Sequence, residues 1–311
     1  MESQIQWHGF DPSTSLVQIP PKQGQATAPT DHILSLINDH ADSTALLLLP
    51  GVQYYTGQAF NIAKITEFTK SKGIVVGWDL AHGVGNLELR LHEWNVDFAV
   101  WCSYKYLNAG PGGIGGIFVH KSVKESKKYL IPTGLLISRL TGWWGHDLSS
   151  RFQMTNGKRC CSVIPSDLEF VSITGAGGYQ LSNPSVLDMM ALRASLEVFA
   201  KTNMAALRER SIALTGYLEY ILQPLVDQGY FTIITPREPQ ERGAQLSLYF
   251  DEGVMETVFD RLTKRGVICD DRKPNVIRVS PAPLYNTFEE VWEFVMTLRD
   301  LLLDLRNMPR H

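Results

Sequence analysis

The stretch Ser103-Tyr104-Lys105-Tyr106-Leu107-Asn108-Ala109-Gly110 carries a lysine at the end of an apolar run. That run, Val96-Asp97-Phe98-Ala99-Val100-Trp101-Cys102, is short, β-branched and aromatic, the composition of a buried parallel strand. Gly110 through Gly116 follows at once, with glycine also at 112, 113 and 115, and reads as loop or tight turn. A strand that delivers a lysine into a glycine-lined pocket can strip water from its amine, as a Schiff-base lysine requires. Taken alone, Lys105 reads first as a solvated surface charge, as most lysines are.

A second feature stands upstream. Gly73-Ile74-Val75-Val76-Gly77-Trp78-Asp79 reads as another buried strand ending in an acid, followed by Leu80-Ala81-His82-Gly83-Val84-Gly85. An Asp at the carboxyl end of a parallel strand points into the crevice where open α/β sheets bind ligands. A carboxylate there can pair with the protonated ring nitrogen of pyridoxal 5'-phosphate and keep that ring an electron sink. The competing reading makes Asp79 the cap of a helix starting near Leu80. Two consecutive predicted strands ending in Asp and Lys favour the cofactor role.

These residues need elements to hold them. Periodicity predicts a helix from His32 to Asn38, a strand from Thr44 to Leu49 and a helix from Ile62 to Lys72, an α/β alternation leading into the Asp79 strand. The segment from His120 to Gly142 has no clear pattern, and Thr155 to Gly178, rich in Asn, Gly, Ser and Cys, reads as an exposed insertion. Ser185 to Leu222 reads as one long helical pattern. Beyond it come strands at Phe231–Thr235, Ala244–Phe250 and Val276–Ser280, with helices at Val254–Arg265 and Phe288–Leu305. The change of character near Asn183-Pro184 predicts two domains, 1–183 and 184–311, the second a compact α+β unit.

The 311 residues suffice for one large or two ordinary domains, and a formal charge of −3 gives no reason to invoke nucleic acid or an anionic membrane. Cys102, Cys160, Cys161 and Cys269 have no metal-ligand spacing and read as reduced thiols. His8, His32, His40 and His92 likewise suggest no metal site. The longest aliphatic run, Ala45 to Leu49, is too short to span a bilayer, and Met1-Glu2-Ser3-Gln4 does not open a secretory signal. A cytoplasmic enzyme is the expectation. The glycines at 112–116 are not a phosphate loop, because no Lys-Ser/Thr pair and helix follow.

The segments Asp79-Leu80-Ala81-His82-Gly83-Val84-Gly85-Asn86 and Trp101-Cys102-Ser103-Tyr104-Lys105-Tyr106-Leu107-Asn108-Ala109-Gly110 closely resemble kynureninase. So do Gly51-Val52-Gln53-Tyr54-Tyr55-Thr56-Gly57-Gln58, Gly142-Trp143-Trp144-Gly145-His146, Leu181-Ser182-Asn183-Pro184 and Ile277-Arg278-Val279-Ser280-Pro281-Ala282-Pro283-Leu284-Tyr285-Asn286. Their order and spacing are family-like over nearly the whole chain. The resemblance implies an α/β, pyridoxal-phosphate-dependent transferase-like (type I) fold. That is a three-layer large domain with a C-terminal α+β small domain, acting as a homodimer.

The resemblance also implies roles. Lys105 would bond the cofactor covalently and then move the substrate α-proton, while Asp79 would pair with the pyridine nitrogen. Tyr104 would bond the phosphate and could donate a proton late in the reaction, and His82 would sit beside the cofactor. Trp143 and Asn183 match residues that contact phosphate or substrate across the subunit interface, with Ser182 a substrate-side neighbour. Arg278 matches the arginine that grips the substrate α-carboxylate, a pairing that suits a bidentate guanidinium. Without the resemblance, His82 can cap a helix, Trp143 and Trp144 can be packing aromatics, and Arg278 simply faces away from Ile277 and Val279, toward solvent or a cleft.

The implied reaction is hydrolytic Cβ–Cγ cleavage of L-kynurenine or 3-hydroxy-L-kynurenine. Products would be anthranilate or 3-hydroxyanthranilate plus L-alanine, in tryptophan catabolism and NAD biosynthesis. Family members carry a further N-terminal portion with the phosphate-binding turn, the ring-stacking aromatic and the first strands. On that comparison the large domain here is partial, which opens a second reading: a catalytically inactive fragment. Pro50 replaces a small polar residue of some relatives, and Ile131–Leu140 and Thr155–Gly178 are longer than usual. A third reading is another type I enzyme, a class V aminotransferase or a cysteine desulfurase, the latter needing Cys160 or Cys161 as nucleophile.

Overall fold

A computed structural model of the chain describes residues 1–122, 142–152 and 171–307. Helices α1 (Glu2–Trp7) and α2 (Pro12–Ser15) open it, followed by α3 (Thr30–Asp39), strand β1 (Leu46–Pro50), α4 (Ile62–Ser71), β2 (Val75–Asp79), β3 (Phe98–Cys102) and β4 (Gly115–Val119). The second half comprises α5 (Val186–Phe199), α6 (Met204–Asp227), β5 (Thr232–Ile233), β6 (Leu246–Tyr249), α7 (Val254–Lys264), β7 (Asp270–Arg272), β8 (Val276–Val279) and α8 (Phe288–Asn307). Residues 123–141 and 153–170, which take in most of the segment at 120–142, the first part of that at 155–178, and Cys160 and Cys161, fall outside the described residues. Among the described residues, no helix is long and apolar enough to cross a membrane.

The first sheet runs β1-β2-β3-β4, parallel through β3 and antiparallel at β4. Its register matters most for function. Pro50 faces Asp79, and Asp79 faces Val100, so the carboxyl ends of three parallel strands share one edge. Helices α3 and α4 cover one face because Ile33 and Ile37, and Ile62 and Ile65, recur at helical spacing and are buried. Leu47, Val76, Trp78 and Ala99 meet them from the sheet. Trp78 donates its indole N–H to Thr66 Oγ1 at 3.0 Å, satisfying the only polar atom the ring buries. Asp97 ties the sheet to α4, accepting from Lys70 at 2.5 Å and from the Val76 amide at 2.8 Å. With period-two alternation, Leu46, Val100 and Ile117 fall on the opposite face and are exposed.

The glycine run is loop only in part. Gly110 and Gly112 turn with φ of +86° and +72°, but Gly115 and Gly116 belong to β4. Gly116 lies opposite Trp101, and a Cβ there would come 2.3 Å from the indole. Glycine in this strand makes room for a ring rather than a turn.

The second sheet is antiparallel, in the order β5-β6-β8-β7. Its core joins Leu214, Leu218 and Leu222 of α6, Val258 and Leu262 of α7, and Val295 and Leu298 of α8 to Leu246, Leu248 and Ile277 of the strands. The single helical pattern expected from Ser185 to Leu222 is two helices. Asn203 breaks it by accepting a hydrogen bond from the Ala206 amide at 2.9 Å, the N-cap of α6. Strand β7, Asp-Asp-Arg, has no apolar alternation and was not expected; pairing with β8 alone defines it.

The β1–α4 loop joins the two halves. Thr235 donates to the Thr56 carbonyl, Gln245 to that of Tyr54 and Ser247 to that of Tyr55. Ala59 donates its amide to the Glu241 carbonyl, and the Ala244 amide donates to Asn86 Oδ1.

Candidate active site

Lys105 stands just past β3 in a closed turn. Ala109 returns its amide to the Ser103 carbonyl, and Asn108 to that of Lys105, with Asn108 at φ 54°. The Ser103 hydroxyl donates to the Ile114 carbonyl at 2.5 Å. The turn thus holds Lys105 half-buried, its Nζ 5.7 Å from the centroid of the Tyr104 ring. Among the described residues Lys105 forms no ion pair.

Asp79 ends β2 on the same edge. It caps a turn rather than a helix: its Oδ1 accepts from the Ala81 amide at 2.9 Å, and residues 81–86 are turn. The carboxylate remains exposed, and among the described residues no basic side chain pairs with it. The turn lies against β3, where Leu80 donates to the Val100 carbonyl at 2.7 Å and Cys102 Sγ approaches the Ala81 carbonyl at 3.8 Å.

His82 gathers the site. Its Nδ1 is buried without a hydrogen-bond partner, and its ring lies edge-on to Tyr106 with centroids 6.0 Å apart. Burial first, then the positive charges of Lys105, Arg278 and Arg272, hold its imidazole down from 6.5 to about 4. Residues from the turn after β3 and from β7 and β8 therefore converge electrostatically on one neutral ring. Between those two values the unfolded chain binds a proton that the folded chain refuses. Stability attributable to His82 is accordingly complete above pH 6.5 and falls as pH drops toward 4. Replacing His82 by Gln should flatten that part of a urea-melt pH series, and an unchanged slope would refute the assignment.

Arg278, expected to face solvent or a cleft, is buried. It is 8% exposed, pairs with Asp270 Oδ2 at 2.5 Å and donates from Nη1 to the Tyr54 carbonyl at 2.8 Å. Tyr106 bonds Ser280, and burial raises its phenol above the usual range. Tyr104 is exposed, and its neighbour Cys102 raises its phenol, first by charge and then through a hydrogen bond. Trp143 sits exposed in a 3₁₀ turn, and Ser182 and Asn183 are exposed. Gly142 packs so tightly on Leu181 that a Cβ would lie 2.0 Å from its carbonyl oxygen, setting Trp143 beside Ser182 and Asn183. Among the described residues, no hydrogen bond, ion pair or ring contact links these three to the Lys105–His82–Arg278 cluster.

Sequence reasoning missed Asp270, Tyr106 and the Tyr54 carbonyl. The only available signal was the Asp-Asp-Arg triplet just before the Arg278 strand, and charge alone does not reveal a strand.

Comparison with known proteins agrees with this geometry. Residues 7–154 match the class-V aminotransferase family and 207–298 the kynureninase C-terminal domain. The chain superposes on the apo cysteine desulfurase of Thermococcus onnurineus NA1 with TM-score 0.73 at 15% identity, covering 97% of this chain and 68% of that one. It also superposes on a cysteine desulfurase of Escherichia coli with TM-score 0.72 at 20% identity, covering 97% and 67%. At such identities the likeness carries the fold alone, and with the site it defines an α/β chain of the pyridoxal-phosphate-dependent type I class. Kynureninase 2 of Aspergillus terreus is 51% identical over 312 residues, and kynureninase 1 of Emericella nidulans 53% over 300. Over nearly its whole length the chain is similar to kynureninases, and its second half carries their C-terminal domain. These matches cover 97% and 94% of this chain but 63% and 59% of the relatives' length.

Proposed function

We propose that the chain carries out kynureninase chemistry: hydrolytic Cβ–Cγ cleavage of L-kynurenine or 3-hydroxy-L-kynurenine to anthranilate or 3-hydroxyanthranilate plus L-alanine. The observation that carries the proposal is the convergence of Lys105 and Arg278 on His82, beside the strand edge that ends in Asp79.

The donor set fits pyridoxal 5'-phosphate. Asp79 presents a carboxylate free of ion pairs, Lys105 an amine likewise free among the described residues, and His82 a buried nitrogen without a partner. Asp79, His82, Tyr104 and Lys105 would hold the cofactor, with Trp143 and Asn183 completing its contacts across a homodimer interface. When bound, it supplies an electron sink for the pair left at the substrate Cα. Arg278 binds the α-carboxylate, which fixes the orientation of Cα. Lys105 Nζ then takes the Cα proton and returns one. Asp79 would keep the ring nitrogen of the cofactor protonated, and neutral His82 leaves the neighbourhood without a further positive charge. Water adds to the γ-carbonyl, the Cβ–Cγ bond breaks with Cγ leaving as the carboxyl of anthranilate, and Tyr104 stands as proton donor to Cβ, which becomes the methyl of alanine. Ser182 belongs to the substrate side of the same reading, as does a domain division at Asn183-Pro184, supported by two apolar cores drawn from either side of it.

One observation favours the alternative of an inactive chain: Leu46, Val100 and Ile117 leave a sheet face exposed on the layer that carries Asp79. Adding pyridoxal phosphate to the purified chain decides between them. A protein-bound absorbance band and equimolar anthranilate and L-alanine are expected. A folded protein that develops no band would sink the proposal.

A further inference from the structure

Arg278 is a buried cation whose donors are not all spent. Asp270 holds Nη2 and the Tyr54 carbonyl holds Nη1, while the Nε–H is buried with no partner. Asp270 faces Arg278 in the β7–β8 register. Its other oxygen lies 2.6 Å from Arg272 Nη1, out of line for a hydrogen bond, and Arg272 Nη2 donates to Asp270 Oδ2 at 3.2 Å. One carboxylate therefore bridges two guanidiniums.

We propose that Asp270 is the positioning residue that fixes the Arg278 guanidinium for a carboxylate ligand, an inference that rests on Arg278 being the α-carboxylate grip. Two anchors from different halves of the chain, Asp270 on β7 and the Tyr54 carbonyl after β1, stop the guanidinium from rotating. Its unspent N–H groups, the buried Nε–H among them, are then held in one orientation, and a bidentate pair requires that orientation. Charge agrees with this role. Arg272, Asp270 and Arg278 sum to one positive charge, which a single carboxylate neutralises. Without Asp270 two guanidiniums would face each other uncompensated and separate. Stability alone is a poor reason for the arrangement, since the Asp270 side chain is 46% exposed, which weakens the pairing, and the buried Arg278 is left with an unsatisfied Nε–H. Strand β7 also has no apolar side chain to bury; what it contributes is the placement of Asp270.

The test uses the full chain and two readouts. The first is the ¹⁵N-arginine NMR signal of the Arg278 Nε–H, assigned by its loss in Arg278→Lys, recorded without cofactor. It should be sharp and slow to exchange in the wild type and broadened in Asp270→Asn. The second is turnover of L-kynurenine and of its α-carboxamide. Asp270→Asn should lower kcat/KM for the acid by about 10- to 100-fold, mostly through KM, and leave the carboxamide unchanged. Asp270→Glu, which keeps the charge, should fall between and serves if Asn does not fold. An unchanged NMR signal, or equal losses on both substrates, would overturn the inference. A wild type that turns over neither substrate defeats the proposed function instead, and the NMR signal then decides the role of Asp270 alone.

Discussion

Lys105→Ala is expected to cost at least about 10⁴-fold in kcat, the top of the range for a single acid–base group, because the same lysine also supplies covalent attachment. Stability should barely move. The side chain is half-buried, forms no ion pair among the described residues and rests loosely over Tyr104, so its loss falls among surface-like changes of about 0.5 kcal/mol. A second readout needs no activity. Lys105 is one of the charges that hold the His82 imidazole down to about 4, so Lys105→Ala should raise that midpoint in a histidine NMR titration. The midpoint should stay below 6.5, because burial is the larger cause. Lys105→Arg separates the two effects: it keeps the charge, so His82 remains low, yet activity is lost. Residual turnover within tenfold of wild type would show that Lys105 is not the base. A His82 midpoint unmoved in the alanine variant would show that the lysine does not face the cluster.

How far these features could be read from the chain depends on whether a local pattern or a distant partner creates them. Asp79 and Lys105 were legible because each ends a short apolar run, and parallel strands place such ends on one edge. Alternation around Arg278 told which way its side chain leaves the strand but not its depth, because Asp270 and the Tyr54 carbonyl bury it from other elements. Asp270–Arg272 carries no periodicity and exists as a strand only by pairing with β8. The break before α6 hid behind apolar residues that continue at helical spacing, and only the Asn203 cap marks it. Gly115 and Gly116 misled for the opposite reason: a glycine required by the Trp101 ring looks, in one dimension, like a glycine required by a turn. The particular roles at the site came with the family resemblance rather than from spacing.

The other large effect belongs to the seam between the two halves. Arg242 is 2% exposed, and its Nη1 donates to Glu219 Oε2 at 2.7 Å and to the Pro236 carbonyl at 3.3 Å. Its own carbonyl accepts from Arg208 Nη2 at 2.7 Å, and its backbone bridges Gln58. Arg242→Ala should therefore destabilise by about 3–5 kcal/mol, because among the described residues it leaves the largely buried Glu219 with only the exposed Arg237 as ion-pair partner. Arg237→Ala, at 77% side-chain exposure, should cost under about 1 kcal/mol although it ends on the same carboxylate. Removing both buried charges together, as Arg242→Met with Glu219→Leu, should recover most of the loss, since the penalty lies in the orphaned charge rather than in the missing attraction. Urea melts of the four proteins test this, and equal losses for Arg237→Ala and Arg242→Ala would overturn it. The same substitution should reach the site. Residues 241–245 hold the loop that offers the Tyr54 carbonyl to Arg278, so Arg242→Ala should also raise KM for the carboxylate substrate before it unfolds the chain.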